Sequence, residues 1–370
     1  MKKTLANPFS SPRHLSSLLS RFITGIKFHA ASSFRMPRHV TLMITSRCNA
    51  SCIMCSIPKK GDYGLSITEI ENTLSDNFFD SIQSICIAGG EPFLRKDLPD
   101  VIKTIFERRP KIRFLSMLTN GLMPLLIENA MKEIISLSKG KSELDLCISI
   151  SLLGKSNKTY RQITNVQDGY TRVTDTIQRT KQLRGIFPLD IRLNTVIQPM
   201  NVTQLKDLLS LASQLGLPIR FIPVQINSFF DNLQNKDKLT FKDSDILSLK
   251  GFFARPQEGI SESSRAYWND YFKVINGMRR RTPCVLPFDG LVIGAGGEVF
   301  TCMAPLTYGN VLHEKLSSIW NSTQTRNTKS RLIKEYCPHC TACCAAEDSI
   351  QQEFFFLLNF VMRDFFKRRM

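Results

Sequence analysis

The stretch Thr41–Cys55, TLMITSRCNASCIMC, opens with apolar residues that fit a buried strand and runs into three cysteines spaced Cys48-x3-Cys52-x2-Cys55. Spacings this short let one loop wrap a metal centre, each sulfur reaching a different atom. Structural zinc takes four ligands in a closed tetrahedron, and no fourth Cys or His lies close by in the sequence. A cubane iron–sulfur cluster held by three cysteines leaves one iron open to a ligand that is not protein. An open iron points to chemistry rather than scaffolding.

Outward from this loop the chain alternates. Val40–Ile44, Ser84–Ala88, Ile112–Leu118, Leu144–Ser151, Ile191–Ile197 and Ile219–Val224 are apolar runs that fit buried strands. Between them lie amphipathic stretches at helical spacing: Leu98, Val101, Ile102, Ile105 and Phe106, then Val202, Leu205, Leu208, Leu209 and Leu215 with Gly216 as a stop. Ser66 with Glu69 forms a capping box for the first helix. Strand–helix units in series predict an α/β fold with a parallel sheet, doubly wound or a partial barrel, its site at the C-terminal ends of the strands. The candidate residues fall there: Cys48–Cys55 after the first strand, Gly89-Gly90-Glu91-Pro92 after the second, Thr119-Asn120-Gly121 after the third. Asn232–Arg281 is polar and mixed and reads as a connecting segment.

The cysteine spacing, its position after the first strand and the GGEP that follows resemble the radical S-adenosylmethionine (SAM) family. The resemblance spans roughly Arg38 to Cys344. It implies a partial (β/α)6 TIM-like barrel and a [4Fe–4S] cluster whose open iron chelates SAM. It further implies reductive cleavage of SAM to a 5′-deoxyadenosyl radical that abstracts hydrogen from a substrate. On the same ground Gly89, Gly90, Glu91 and Pro92 bind the methionine portion, with Glu91 and local carbonyls accepting from its ammonium group. Asn120 belongs to the family's strand-three ending, Ser149 to its strand-four SAM contact, and Arg161 to an arginine that pairs with the SAM carboxylate, as a guanidinium does well. The acidic residue that often follows this serine is Ser151 here, which puts a ribose contact there in doubt; Asn194 on the fifth strand is a further candidate for the pocket. Catalytic residues acting on the substrate are not identified.

A second group comprises Cys284, Cys302, Cys337, Cys340, Cys343 and Cys344. LVIGAGGEVFTC reads as a hairpin with a glycine turn, and CPHCTACC as a metal knuckle. The order Cys…Gly-x4-Cys…Cys-x2-Cys, with Gly309-Asn310-Val311 and Ile319-Trp320-Asn321 between, resembles the SPASM/twitch extension of radical SAM enzymes. That implies an auxiliary [4Fe–4S] cluster on Cys284, Cys302, Cys337 and Cys340, with Cys343 or Cys344 able to replace one. Zinc would satisfy four thiolates equally. Cys86 and Cys147 stand in apolar runs and read as small buried hydrophobes.

The remaining features bound partners and location. No apolar run reaches the roughly 18 residues of a spanning helix; Met1-Lys2-Lys3 starts like a signal peptide, but no continuous apolar region or small-residue cleavage site follows, so export is not expected. Tight thiol groups in such a chain favour a reducing, cytoplasmic setting. The net charge of +17 gathers at the ends. His14–Phe28 and Glu353–Arg369 each carry an apolar helical stripe with basic residues. They are suited to an anionic membrane face at the inner membrane, to packing on the barrel, or, at the acid-free N-terminus, to a transit peptide. Nucleic acid is not expected as a partner, since basic residues are not interleaved with aromatics along a groove. The expected electron donor is a small reductase of flavodoxin or ferredoxin type. The layout is a basic arm (1–37), a radical SAM core (38–230), a connecting segment (231–282), an auxiliary cluster domain (283–346) and an amphipathic C-terminal helix (347–370). The resemblance implies a peptide or a carbohydrate-like, lipid-linked compound as substrate, with nothing in the residues to choose between them. Rival readings are a non-catalytic iron–sulfur electron carrier and a zinc-stabilised nucleic-acid-binding protein.

Overall fold

The computed structural model describes residues 36–282, 284–304 and 306–342. Six strands, β1 (His39–Thr45), β2 (Ser84–Gly89), β3 (Phe114–Thr119), β4 (Asp145–Ser151), β5 (Leu189–Ile197) and β6 (Ile219–Pro223), pair in parallel in chain order. Parallel neighbours need crossover connections, supplied here by α1 (Ile67–Leu74), α2 (Leu98–Arg108), α3 (Pro124–Ser138), α4 (Asn157–Thr164), α5 (Gly169–Leu183) and α6 (Leu205–Leu215). The sheet order β6-β5-β4-β3-β2-β1 leaves β6 and β1 at opposite ends of these six strands, as in a partial (β/α)6 barrel.

Alternation along each strand sorts the two faces. Val40, Leu42, Ile44, Ile85, Ile87, Leu115, Met117, Ile148, Ile150, Ile191 and Leu193 join the helices in one buried apolar cluster. The intervening residues, among them Met43, Ala88, Ser149 and Asn194, face the concave side. The capping box forms as expected: Glu69 N donates to Ser66 Oγ and Ser66 N donates to the Glu69 carboxylate at 2.7 Å. Gly216 ends α6 at φ 65°.

The segment read as a connector is instead helical and packed. Asp243–Phe253 (α7) and Glu262–Val274 (α8) carry an aromatic nucleus in which Trp268 stacks on Phe253 with ring centroids 4.2 Å apart, flanked by Tyr271 and Phe272. Polar residues on the outer faces dilute that pattern in the sequence.

The expected hairpin is present as β7 (Gly290–Ile293) and β8 (Glu298–Phe300), antiparallel around Gly297 at φ 84°. β7 pairs in parallel with β1, from His39↔Gly290 to Leu42↔Ile293, and β8 pairs with the short β9 (Gly309–Asn310). The C-terminal module therefore continues the barrel sheet beyond β1, a pairing for which the sequence carries no signal. Arg38 clamps the junction, its Nε and Nη2 donating to the two oxygens of Asp289 at 3.0 and 2.6 Å. The amphipathic stripes at His14–Phe28 and Glu353–Arg369 lie outside the described residues, as do Cys343 and Cys344. Among the described residues no helix is long and apolar enough to cross a membrane.

Candidate cluster and cofactor site

The chain leaves β1 at Thr45 and enters the cysteine loop, which is sewn down on two sides. Gly90 N donates to Thr45 O at 2.7 Å and Glu91 N to Arg47 O at 2.8 Å, joining the loop to the end of β2. This approach requires glycine: a Cβ on Gly89 would overlap the Thr45 carbonyl oxygen, one on Gly90 would overlap that of Arg47, and Gly89 sits at φ 136°. Across the loop, Ser51 N and Ile53 N donate to Thr164 O and Ile163 O at the end of α4, at 3.1 and 2.8 Å. Cys48, Cys52 and Cys55 are half-buried on this loop. Burial pushes all three thiols up, and at Cys52 the neighbouring Cys55 and Cys48 add to it. Thiols held this way ionise once a cationic centre compensates them.

Glu91 and Asn120 tie the strand ends together. Glu91 is fully buried, and its carboxylate accepts from Phe93 N (3.2 Å), Thr119 Oγ1 (3.0 Å) and Asn120 N (2.7 Å). Burial pushes its carboxyl up to about 7 against the lowering effect of those bonds. Three of the protein's own donors thus share this carboxylate, which has about four acceptor positions. Asn120 Nδ2 points back at the loop, 3.5 Å from Cys48 Sγ and 2.7 Å from Asn49 Oδ1. Pro92 opens the single turn Pro92–Leu94 that Glu91 caps. Ser149 and Asn194 both line the concave face, Ser149 in register with Leu118 and Arg192, Asn194 with Ser151 and Arg220. Arg161 is exposed on α4, the helix whose last turn receives the cysteine loop.

Sequence reasoning missed the segment Gln225–Asn235. Asn232, fully buried, donates from Nδ2 to Met54 O and Gln225 O, both at 2.8 Å, and accepts from Asn227 N at 3.0 Å. Asn235 Nδ2 donates to Ile53 O at 2.8 Å, and Ser56 N donates to Phe230 O at 2.8 Å. The same segment reaches the C-terminal module through Gln225 Nε2 to Thr341 O (3.3 Å) and Asn227 Nδ2 to Met303 O (3.5 Å). Phe229 and Phe230 pack with Cys55 and Met43 on the concave side. The only local signal was the density of Asn and Gln in QINSFFDNLQN.

In the C-terminal module, Cys284, Cys302, Cys337 and Cys340 line one cavity of about 380 Å³. Burial pushes the Cys302 and Cys337 thiols up to about 12, the other thiols of the set adding to it. Arg280 lines the same cavity. Burial works against its charge, yet Cys284 and Cys340, with Tyr267 and Asp270, hold the guanidinium above its usual value. His339 lies at the cavity rim. Cys147 is buried as expected, and Cys86 is partly exposed.

The donor chemistry fits the implied groups. Three thiols on one loop against a glycine backbone fit a cluster with one open iron, and four thiols about one cavity fit a fully thiolate-ligated cluster. Among the described residues no three His, Cys, Asp or Glu side chains are placed to hold a single metal ion between them.

Comparison with known proteins agrees with this reading. The family model of the radical SAM superfamily matches residues 42–212, and that of the SPASM iron–sulfur cluster-binding domain matches residues 284–344. A probable GTP 3′,8-cyclase of Metallosphaera sedula is 30% identical over 177 residues, 47% of this chain and 51% of that protein. The antilisterial bacteriocin subtilosin biosynthesis protein AlbA of Bacillus subtilis is 23% identical over 317 residues, 84% of this chain and 65% of that protein. The chain thus spans between half and two thirds of the length of these two relatives. Among solved structures, Streptococcus suis SuiB bound to precursor peptide SuiA aligns with a TM-score of 0.57 at 14% identity, over 88% of this chain and 73% of that one. Native anSMEcpe with bound AdoMet and Cp18Cys peptide aligns with a TM-score of 0.59 at 16% identity, over 88% and 98%. These two likenesses establish the fold.

Proposed function

Since the chain belongs to the radical SAM superfamily and carries a SPASM-type iron–sulfur domain, we propose that it is an enzyme that cleaves SAM reductively and modifies a peptide. The observation that carries the reading is the loop of Cys48, Cys52 and Cys55, joined to Gly90 and Glu91 on one side and to α4 on the other. When bound, the cluster on these thiolates supplies the electron that cleaves SAM, and the 5′-deoxyadenosyl radical takes hydrogen from the substrate. The chain's own part is orientation and exclusion. Gly89 and Gly90 bring bare backbone to the site, and Asn120 donates towards Cys48 Sγ. Arg161 binds the SAM carboxylate, while Ser149 and Asn194 contact the rest of the cofactor from the concave face. Phe229 and Phe230 keep water from Cys55.

Cys284, Cys302, Cys337 and Cys340 hold an auxiliary cluster, with Cys343 or Cys344 as an alternative ligand, and a fully ligated cluster suits uptake of an electron from the substrate. A peptide is favoured over a carbohydrate or lipid-linked compound because AlbA, a relative matched over 84% of this chain, is named for bacteriocin biosynthesis. The SuiB and anSMEcpe structures also carry peptides. The rival readings, an electron carrier or a zinc-stabilised nucleic-acid-binding protein, have no such support. The electron donor is a small flavodoxin- or ferredoxin-type reductase, and the setting is cytoplasmic. Peripheral binding of the two basic ends to the inner membrane predicts flotation with anionic vesicles at low salt, lost on removing residues 1–35 or 351–370. The activity is tested by anaerobic reconstitution and reduction with SAM. The wild type should form 5′-deoxyadenosine, Cys52→Ala should form none, and Arg161→Ala should mainly weaken SAM binding. Stoichiometric zinc without iron–sulfur absorbance would overturn the proposal.

A further inference from the structure

We propose that Arg280 is a positioning residue that fixes the cysteine knuckle and sets the charge balance of the C-terminal cluster, making that cluster easier to reduce. This rests on the reading that Cys284, Cys302, Cys337 and Cys340 hold an auxiliary cluster. Arg280 lies between α8 and Cys284. Its backbone N donates to Pro338 O at 2.7 Å, its Nε to Thr282 O at 2.8 Å, and its Nη1 to Ala342 O at 2.8 Å and Cys340 O at 3.4 Å. These bonds hold the guanidinium plane against the knuckle Cys337–Cys340. Its Nη2 is buried with no hydrogen-bond partner.

Guanidinium remains charged in proteins, so a buried one needs a countercharge. The neighbouring carboxylate does not supply a direct pair: Asp270 Oδ2 accepts from Arg281 N and Thr282 N at 2.9 and 2.6 Å. Of the other groups lining the cavity, Glu335 is paired with Arg331 at 2.9 Å, which leaves the four thiols to face Arg280. Thiolates on an iron–sulfur core leave a net negative site, and each electron added makes it more so. A fixed cation alongside stabilises the reduced form, because net charge and hydrogen bonding set the potential of such clusters. This suits a cluster that accepts an electron from the substrate.

The experiment is a potentiometric titration of the anaerobically reconstituted full chain, followed by electron paramagnetic resonance without SAM or substrate. Iron is counted in parallel, and Cys337→Ala assigns the second signal. Arg280→Gln should lower the reduced-to-oxidised ratio of the second cluster at fixed potential at least tenfold, about 59 mV for one electron. The first cluster should not move. Arg280→Lys, which keeps the charge, should stay within tenfold of wild type. An Arg280→Gln protein with about eight iron atoms and both potentials unchanged would overturn the inference, as would equal shifts in the Gln and Lys variants. Should the Gln variant lose its second cluster, the Lys variant decides: a retained potential supports the charge role, and a tenfold fall refutes it. A wild type with about four iron atoms and no signal lost in Cys337→Ala would instead remove the auxiliary cluster itself.

Discussion

Replacing Gly89 with Ala tests whether backbone approach at the end of β2 holds the cysteine loop. Gly89 sits at φ 136°, a conformation L side chains rarely adopt, and its missing Cβ would overlap the Thr45 carbonyl oxygen and lie 3.2 Å from Thr45 C and N. Holding a non-glycine residue there costs about 1–3 kcal/mol, and overpacking against a fixed backbone costs about 1–3 kcal/mol more. Relief requires Thr45 to move, and with it Arg47 and Cys48, because Gly90 N and Glu91 N are bonded to Thr45 O and Arg47 O. With an unfolding entropy of about 2.1 cal/mol/K per residue, a loss of about 2–6 kcal/mol lowers the melting temperature of this chain by about 3–8 °C. The assay pairs anaerobic thermal unfolding with iron per chain after reconstitution. Gly89→Ala should melt lower and keep about four of about eight iron atoms, the loss falling at Cys48, Cys52 and Cys55. Gly140→Ala is the control: φ is 84° there and nothing lies within 4 Å of its missing Cβ, so it bears a backbone cost with no effect on iron. A Gly89→Ala protein with wild-type iron and melting temperature would refute the reasoning.

Three further outcomes are expected. Glu91 has a folded-state carboxyl raised to about 7 from 4.5, so the native state binds the proton more tightly than the unfolded chain. In the metal-free protein this contribution is present in full below about pH 4.5 and is lost as pH rises through about 7, and Glu91→Gln should flatten that slope in thermal melts. Asn232→Ala strands Met54 O, Gln225 O and Asn227 N in a buried site. Leaving such groups unpaired costs about 1–3 kcal/mol each, so both melting temperature and iron retention at the first site should fall, and wild-type values in both would argue against the bridge. Replacing Cys48, Cys52 and Cys55 together with Ala should leave about four iron atoms, measured with acid-labile sulfide; eight retained would remove the first loop as a cluster site.

The sequence by itself determined what local pattern can determine. Cys48-x3-Cys52-x2-Cys55, GGEP, the six apolar runs and the Ser66–Glu69 capping box are each read within a few residues, and the strands and the cap are found where the pattern put them. The glycine turn of the β7–β8 hairpin is legible for the same reason. Tertiary structure decided the rest. That Glu91 is a buried tie between β2 and β3 depends on Thr119 and Asn120 arriving beside it. Asn232 meets Met54 across 178 residues of chain, and β7 meets β1 across some 250. Arg280 looks like any other residue in a basic run, MRRR, until the fold buries it beside Cys284 and Cys340. A polar side chain has the same local signature whether it is solvated or enclosed. Burial and partners separate the two, and both are set by residues far away in the chain.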